Sequence, residues 1–199
     1  MNGTAVDGRR ARRDRNLEQV LDTARELFAE EILLPGVDEL ARRSGVSVRS
    51  IYRYFPDHDA LISAAVERSM VRGLRLARIP NYGRGTFAER LDAFVDSRVS
   101  LYEEAAAGYR ASVHHARTIP QLADAMQRTR EFLRDQLSTQ FAPELTALPA
   151  RERRLAEAAC DTVSQFDGLD HLRRVHGCTA AECRAVLGRT IPLALGVAR

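Results

Sequence analysis

Apolar residues recur at helical spacing along almost the whole chain. Leu17, Val20, Leu21, Ala24, Leu27 and Phe28 form one stripe on a first helix. Pro35-Gly36 interrupts it. Val37, Leu40 and Ala41 then line a short second helix, with Asp38 and Glu39 in the first turn, where the helix dipole favours acid. Gly45 ends that helix, and Ser47 is placed to cap a third that runs through Ile51 to about Phe55. After Pro56, Asp57 is placed to cap a fourth, carrying Leu61, Ile62, Ala65, Val66 and Met70. A second break follows at Pro80, Asn81, Gly83 and Gly85. Beyond it, Thr86 with Glu89, Thr118 with Gln121 and Thr179 with Glu182 have capping-box spacing, so each predicts a helix start. The helix after Thr86 is long and carries Phe87, Leu91, Phe94, Val95, Tyr102 and Tyr109. Pro143 and Pro149 bound an expected loop. One helix is expected from Arg151 to about Val175, with Leu155, Ala159, Val163, Phe166 and Leu169 as its stripe. The last is striped by Val186, Leu187, Ile191 and Ala194. No segment alternates as a strand would, so the expectation is an all-α protein of eight or nine helices, a small N-terminal unit followed by a larger bundle.

Composition changes little in that picture. With 199 residues, 45% apolar and 29% charged, the chain has enough apolar material for a sizeable core. All 30 basic residues are arginine, and the net charge is only +3, so bulk charge argues for no particular partner. No apolar run has the length of a membrane span, and the arginine-rich start lacks the apolar core of a secretory signal. Cys160, Cys178 and Cys183 have no CxxC spacing, so neither a disulfide framework nor a zinc module is expected. A cytoplasmic protein with no cofactor and no membrane partner is the expectation.

The chemistry concentrates in Val37 to His58, VDELARRSGVSVRSIYRYFPDH. Two short helices meet at Ser44-Gly45-Val46. Ala41 allows close approach, Gly45 permits a left-handed backbone, and Val46 and Ile51 fill the space between the helices. That is a helix-turn-helix, whose second helix can enter a major groove of double-stranded DNA. Arg49, Ser50, Arg53, Tyr52 and Tyr54 would then face outward. Arginine can read guanine O6 and N7, whereas Ser and Tyr hydroxyls can seat a phosphate. Backbone N–H groups at the start of the fourth helix, near His58, offer another phosphate seat. Residues 1–60 hold ten arginines against eleven acidic residues, a net of −1, so distribution matters more than total. Arg9, Arg10, Arg12, Arg13 and Arg15 face only Asp7 and Asp14, and read as a basic arm or as a solvated tail. Arg42, Arg43, Arg49 and Arg53 gather about the turn. The expected division is 1–14 basic arm, 15–60 helix-turn-helix domain and 61–199 helical bundle.

ARELF at Ala24 to Phe28, VDELARRSGVSVRSIYRYF at Val37 to Phe55, and Ala60-Leu61 resemble the TetR-type transcriptional regulators over roughly residues 17–62. LRRVHGCTAAECRAVL near the end is similar in a weaker way. The resemblance implies a homodimer on a palindromic operator, usually a repressor, with a small-molecule effector entering the C-terminal bundle and spreading the two heads. It implies operator contacts for Ser47, Arg49, Ser50, Tyr52 and Tyr54. It also implies a dimer interface through the last two long helices, about Glu152 to Val175 and Ala180 to Val197. The chain departs from the family pattern at His58, where Lys is usual, and at Gly36, where Ser or Thr commonly caps the second helix. The Glu30 to Gly36 link is about one residue shorter than usual. A protein-interaction module that has lost operator binding is the alternative these departures favour.

In the bundle, Phe94, Arg98, Tyr102 and Tyr109 share helical spacing, so Arg98 is expected to point inward, toward an anionic ligand or an internal acidic partner such as Glu103. Met126, Phe132, Phe141 and Phe166 are candidates for an apolar pocket or for ordinary core. His114-His115 diverge by about 100° on a helix and present no common ligand direction, so no metal site is expected. Neither a nucleophile–base constellation, a phosphate-binding glycine loop nor H-E-x-x-H is present, so the chain is not expected to be an enzyme.

Overall fold

The computed structural model describes residues 3–30 and 35–197, which form ten α-helices and no strand. They are α1 (Gly3–Ala29), α2 (Val37–Ser44), α3 (Val48–Tyr54), α4 (His58–Leu76), α5 (Phe87–His115), α6 (Pro120–Gln140), α7 (Ala142–Ala147), α8 (Ala150–Ser164), α9 (Phe166–Arg174) and α10 (Ala180–Ala194). Residues 31–34, most of the short link, lie outside the described set, as does the Arg9 side chain. The chain divides into two compact units. Unit 1 comprises Met1–Val71 and Ala107–Ala125, and unit 2 comprises Arg72–Ala106 and Met126–Arg199.

Unit 1 is organised by the stripes read from the sequence. Val20, Ala24, Leu27 and Phe28 of α1 are fully buried with Leu40, Ile51, Leu61, Ile62, Ala65 and Val66, and Ala111, Ile119 and Leu122 complete the same core. At about 25 cal/mol per Å² of apolar area removed from water, each of the larger side chains contributes on the order of 2 kcal/mol. Gly45 closes α2 in the left-handed region at φ 67°, its N–H donating to Ala41 O at 3.0 Å. Asp57 Oδ1 accepts from Ala60 N at 2.7 Å and so caps α4 as expected. The arm is helical from Gly3, continuous with the first apolar stripe.

In unit 2, Phe94, Leu133, Leu137, Phe141, Leu145, Leu169, Leu187 and Ile191 are buried, and the Phe94 and Phe141 rings meet edge to face at 5.1 Å. Thr86 and Thr179 make the predicted reciprocal caps with Glu89 and Glu182. Thr118 does not. Its hydroxyl donates back to His115 O at 3.1 Å, and α6 starts instead at Pro120, whose missing N–H suits a first helical position. The expected loop between Pro143 and Pro149 is the short helix α7, because Pro143 sits in the first turn, where it obstructs nothing.

The expected single helix from Arg151 to Val175 is two. It breaks at Gln165, which is extended at φ −76° and ψ 165°. Gly168 explains how tightly α9 folds back: a Cβ there would run into Thr162 O and lie 3.0 Å from Val163 O. Gly168→Ala is therefore expected to open this corner and destabilise the chain by about 1–3 kcal/mol, which thermal unfolding would register as a lower midpoint. An unchanged midpoint would mean that the corner yields without strain.

Candidate DNA-binding interface

The second helix of the turn presents two faces. Ile51 and Phe55 point into the core of unit 1, while Arg49, Tyr52 and Arg53 are exposed on the other side, Tyr52 at 53%. Ser47 caps α3, its Oγ accepting from Ser50 N at 3.3 Å and donating to Ser50 Oγ at 3.0 Å. The two serines thus rigidify the leading end of the helix. Arg53 is held over the Tyr54 ring at 5.3 Å, with Nη2 3.4 Å from its hydroxyl. Arg49 makes no ion pair among the described residues, so its guanidinium is available to a ligand.

His58 Nε2 donates to Pro35 O at 3.0 Å, tying the start of α4 to the approach to α2. This ring therefore stabilises the head through one nitrogen and has only the other to offer a phosphate. Gly36 is the N-cap of α2 and, without a side chain, makes no side-chain cap. Arg12 and Arg13 are exposed on the N-terminal turns of α1.

Two features of the interface were missed in the sequence. Asn16 Nδ2 donates to Tyr54 Oη over a long 3.4 Å, linking α1 to α3. The signal was a polar residue standing four before Val20 on an otherwise apolar stripe. Arg12 stands four earlier still, so the arm carries its charge along the face that meets α3. The second is neutralisation. Glu39 accepts from Arg42 Nη2 and Arg43 Nε, each at 2.7 Å, and Glu30 accepts from Arg43 Nη1 at 2.6 Å. The Arg42 and then the Arg43 hydrogen bonds hold the Glu39 carboxyl down to about 2, so it is ionised at any pH at which DNA binding is measured. The basic cluster about the turn is thus reduced to Arg49 and Arg53. Glu39→Gln is expected to free Arg42 and raise affinity for arbitrary DNA several-fold at low salt, steepening the log–log salt slope by up to about 1. Anisotropy titrations at two salt concentrations would read this, and an unchanged slope would show that Arg42 lies away from phosphate.

The ligand candidates fall in different places. Phe94, Arg98, Tyr102, Met126 and Phe166 are buried in unit 2, Tyr109 is buried in unit 1, and Phe132 is 45% exposed. Arg98 lies 4.3 Å over the Phe94 ring. Its Nη1 donates to Gln136 Oε1 at 2.9 Å and its Nη2 to Leu133 O at 2.8 Å. Burial pulls the guanidinium down to about 9, against the opposing charge of Asp161, and it stays charged at neutral pH. Glu103 pairs instead with Arg173 at 3.1 Å. Tyr102 Oη donates to Asp170 Oδ1 at 2.7 Å, and its ring stands 6.2 Å from that of Phe166.

A cavity of about 600 Å³ lies elsewhere in unit 2, walled by α6, α8, α9 and α10, and none of the candidates lines it. Burial pushes the Cys160 thiol up to about 12 and raises that of Cys183, which keeps both protonated and unreactive. Among the described residues no three His, Cys, Asp or Glu side chains gather as metal ligands, and no helix is long and apolar enough to cross a membrane.

An all-helical chain with a capped, outward-facing second helix after a glycine turn belongs to the class of helix-turn-helix DNA-binding proteins. Residues 20–65 match the family model described as bacterial regulatory proteins, tetR family. Two solved structures share the fold. One is a transcriptional regulator from Rhodococcus sp. Rha1, 21% identical, covering 92% of this chain and 96% of that one, with a TM-score of 0.66. The other is a candidate transcriptional regulator from Pseudomonas aeruginosa PAO1, 19% identical, covering 94% of this chain and 91% of that one, also at 0.66. No curated protein sequence matches the chain significantly.

Proposed function

We propose that this chain is a homodimeric repressor that binds a palindromic operator sequence-specifically and leaves it when a small molecule binds. The observation that carries the reading is the outer face of α3, where Arg49, Tyr52 and Arg53 stand exposed over a buried Ile51. In this reading Arg49 reads a base edge. Ser47, Ser50, Tyr52 and Tyr54 fix phosphates, Arg53 and His58 supplement them, and Arg12 and Arg13 follow the backbone beyond the half-site. Two heads related by two-fold symmetry would meet successive major grooves, about 34–36 Å apart.

The apolar surface of the last long helices supports the dimer. Leu155 of α8 is 54% exposed and Leu193 of α10 is 78% exposed, apolar surface that a second copy would cover. Release follows if the effector binds better to a form whose heads are wrongly spaced for the operator. Leu193→Glu tests the reading: the parent should sediment as a dimer, and the variant as a monomer that has lost at least 100-fold in operator affinity. A monomeric parent, or a variant that still dimerises, would contradict it.

A further inference from the structure

We propose that Asn16 of α1 is a positioning residue for operator binding, one that turns the Tyr54 hydroxyl outward to donate to a phosphodiester oxygen. The proposal deepens the reading above and rests on it for its ligand, the backbone of double-stranded DNA.

Tyr54 is the last residue of α3, and its ring packs half-buried against the core of unit 1. Packing therefore fixes the ring and leaves only the hydroxyl torsion to be set. Two donors set it. Asn16 Nδ2 donates to Tyr54 Oη from α1, and Arg53 Nη2 donates to it from α3, each at 3.4 Å. A phenol oxygen that accepts from both sides keeps one proton to give, and it must point away from the two donors. Among the described residues that proton has no acceptor. At 3.4 Å each contact is weaker than a bond of ordinary length, so the pair orients the hydroxyl more than it stabilises the fold.

The surroundings specify what the hydroxyl meets. The Arg53 guanidinium lies 5.3 Å from the centroid of the Tyr54 ring, which places a positive charge beside the outward O–H. Asn16 and Arg53 each keep further N–H donors of their own. A partner here has to accept without donating and is favoured if anionic, which describes a phosphodiester oxygen. Base edges in the major groove offer donors as well as acceptors, so the arrangement suits backbone rather than base. Asn16 thus acts through Tyr54 and carries no sequence information, unlike Arg49.

The test uses the full chain, an operator duplex isolated by genomic capture and an arbitrary duplex, titrated by anisotropy. Tyr54→Phe is expected to bind both DNAs at least tenfold more weakly, because each half-site loses a hydrogen bond to a charged group. Asn16→Leu, which keeps the size of the side chain without its donor, should lose at least threefold on both. The double variant should match Tyr54→Phe within about twofold, because the two residues act in series. Phosphates replaced one at a time by uncharged methylphosphonate locate the contact. The parent should be sensitive at a phosphate flanking each half-site, and that sensitivity should fall at least threefold in Asn16→Leu and Tyr54→Phe alike. A merely structural Asn16 would leave the pattern of sensitivity unchanged. Asn16→Ala repeats the comparison, and circular dichroism checks that each head is folded. Additive losses in the double variant would mean that Asn16 binds DNA by itself, and undiminished binding in both Asn16 variants would mean that the hydroxyl needs no guide; either overturns the proposal. So does a methylphosphonate pattern shared by the parent and Asn16→Leu, which leaves operator binding itself standing. A parent that captures no DNA overturns the operator reading and this proposal with it.

Discussion

Arg49→Ala is expected to weaken operator binding by roughly 30-fold to 20,000-fold. A bidentate arginine–guanine contact discriminates by about 1–3 kcal/mol, and a symmetric dimer loses it twice, for about 2–6 kcal/mol in all. The loss should concentrate at one base position in each half-site, with the preference there relaxed, whereas a phosphate contact would weaken all sequences alike and lower the salt slope by about 1. Arg49 is the α3 arginine to test because Arg53 is already engaged with the Tyr54 ring, and Arg42 and Arg43 are neutralised by Glu39 and Glu30. The exposed side chain contributes little to stability, so the unfolding midpoint should stay within about 0.5 kcal/mol of the parent. Anisotropy against the operator and against single-base variants measures all of this. An unchanged operator affinity would remove Arg49 from the interface.

The largest effect on stability is expected at Arg98. Truncation to alanine removes a buried side chain packed on Phe94 and leaves Leu133 O and Gln136 Oε1 without their donor. The sum is about 3 kcal/mol, or roughly 6–12 °C in unfolding midpoint for a chain of this size. Lysine should not restore it, because one ammonium cannot lie flat on the ring and fork to both acceptors.

The pH dependence has a definite sign. The group is a base whose folded value, about 9, lies well below its ordinary value. The penalty for burying its charge is therefore fully present below about 9 and relieved as pH rises above it, where the unfolded chain binds more protons. Relative to Arg98→Ala, the parent should gain stability between pH 8 and pH 10, other titrations being common to both chains. A midpoint shift below 2 °C on truncation, or a parent that loses ground over that pH range, would contradict the account.

The head was legible because its determinants are local. A glycine at the turn, a serine cap and two apolar stripes fix α1 to α4 within about fifty residues, and the structure buries the side chains those stripes named. The bundle was legible only as helices. The break at Gln165 brings Gly168 so close to the Thr162 carbonyl that a Cβ would not fit, and a glycine inside an amphipathic stripe does not announce which backbone it meets. Arg98 was correctly turned inward by periodicity, but its partners are a glutamine and a backbone carbonyl on α6, over thirty residues away, and neither carries a sequence signal for ion pairing. The loss of Arg42 and Arg43 from the interface is similar: Glu39 is local and was readable at i, i+3 and i+4 spacing, whereas Glu30 reaches Arg43 only through the fold. Aromatic spacing on α5 could not separate pocket from core, and Phe94, Tyr102 and Tyr109 are packed side chains while the cavity is lined from α6, α8, α9 and α10.

Capture of genomic DNA fragments by the purified chain and by Arg49→Ala, each at two salt concentrations, tests sequence-specific recognition through α3 most directly. The account predicts enrichment of one or a few two-fold symmetric sites by the parent, weaker at higher salt and largely lost with Arg49→Ala. Uniform retention of all fragments, or of none, by parent and variant alike would contradict it.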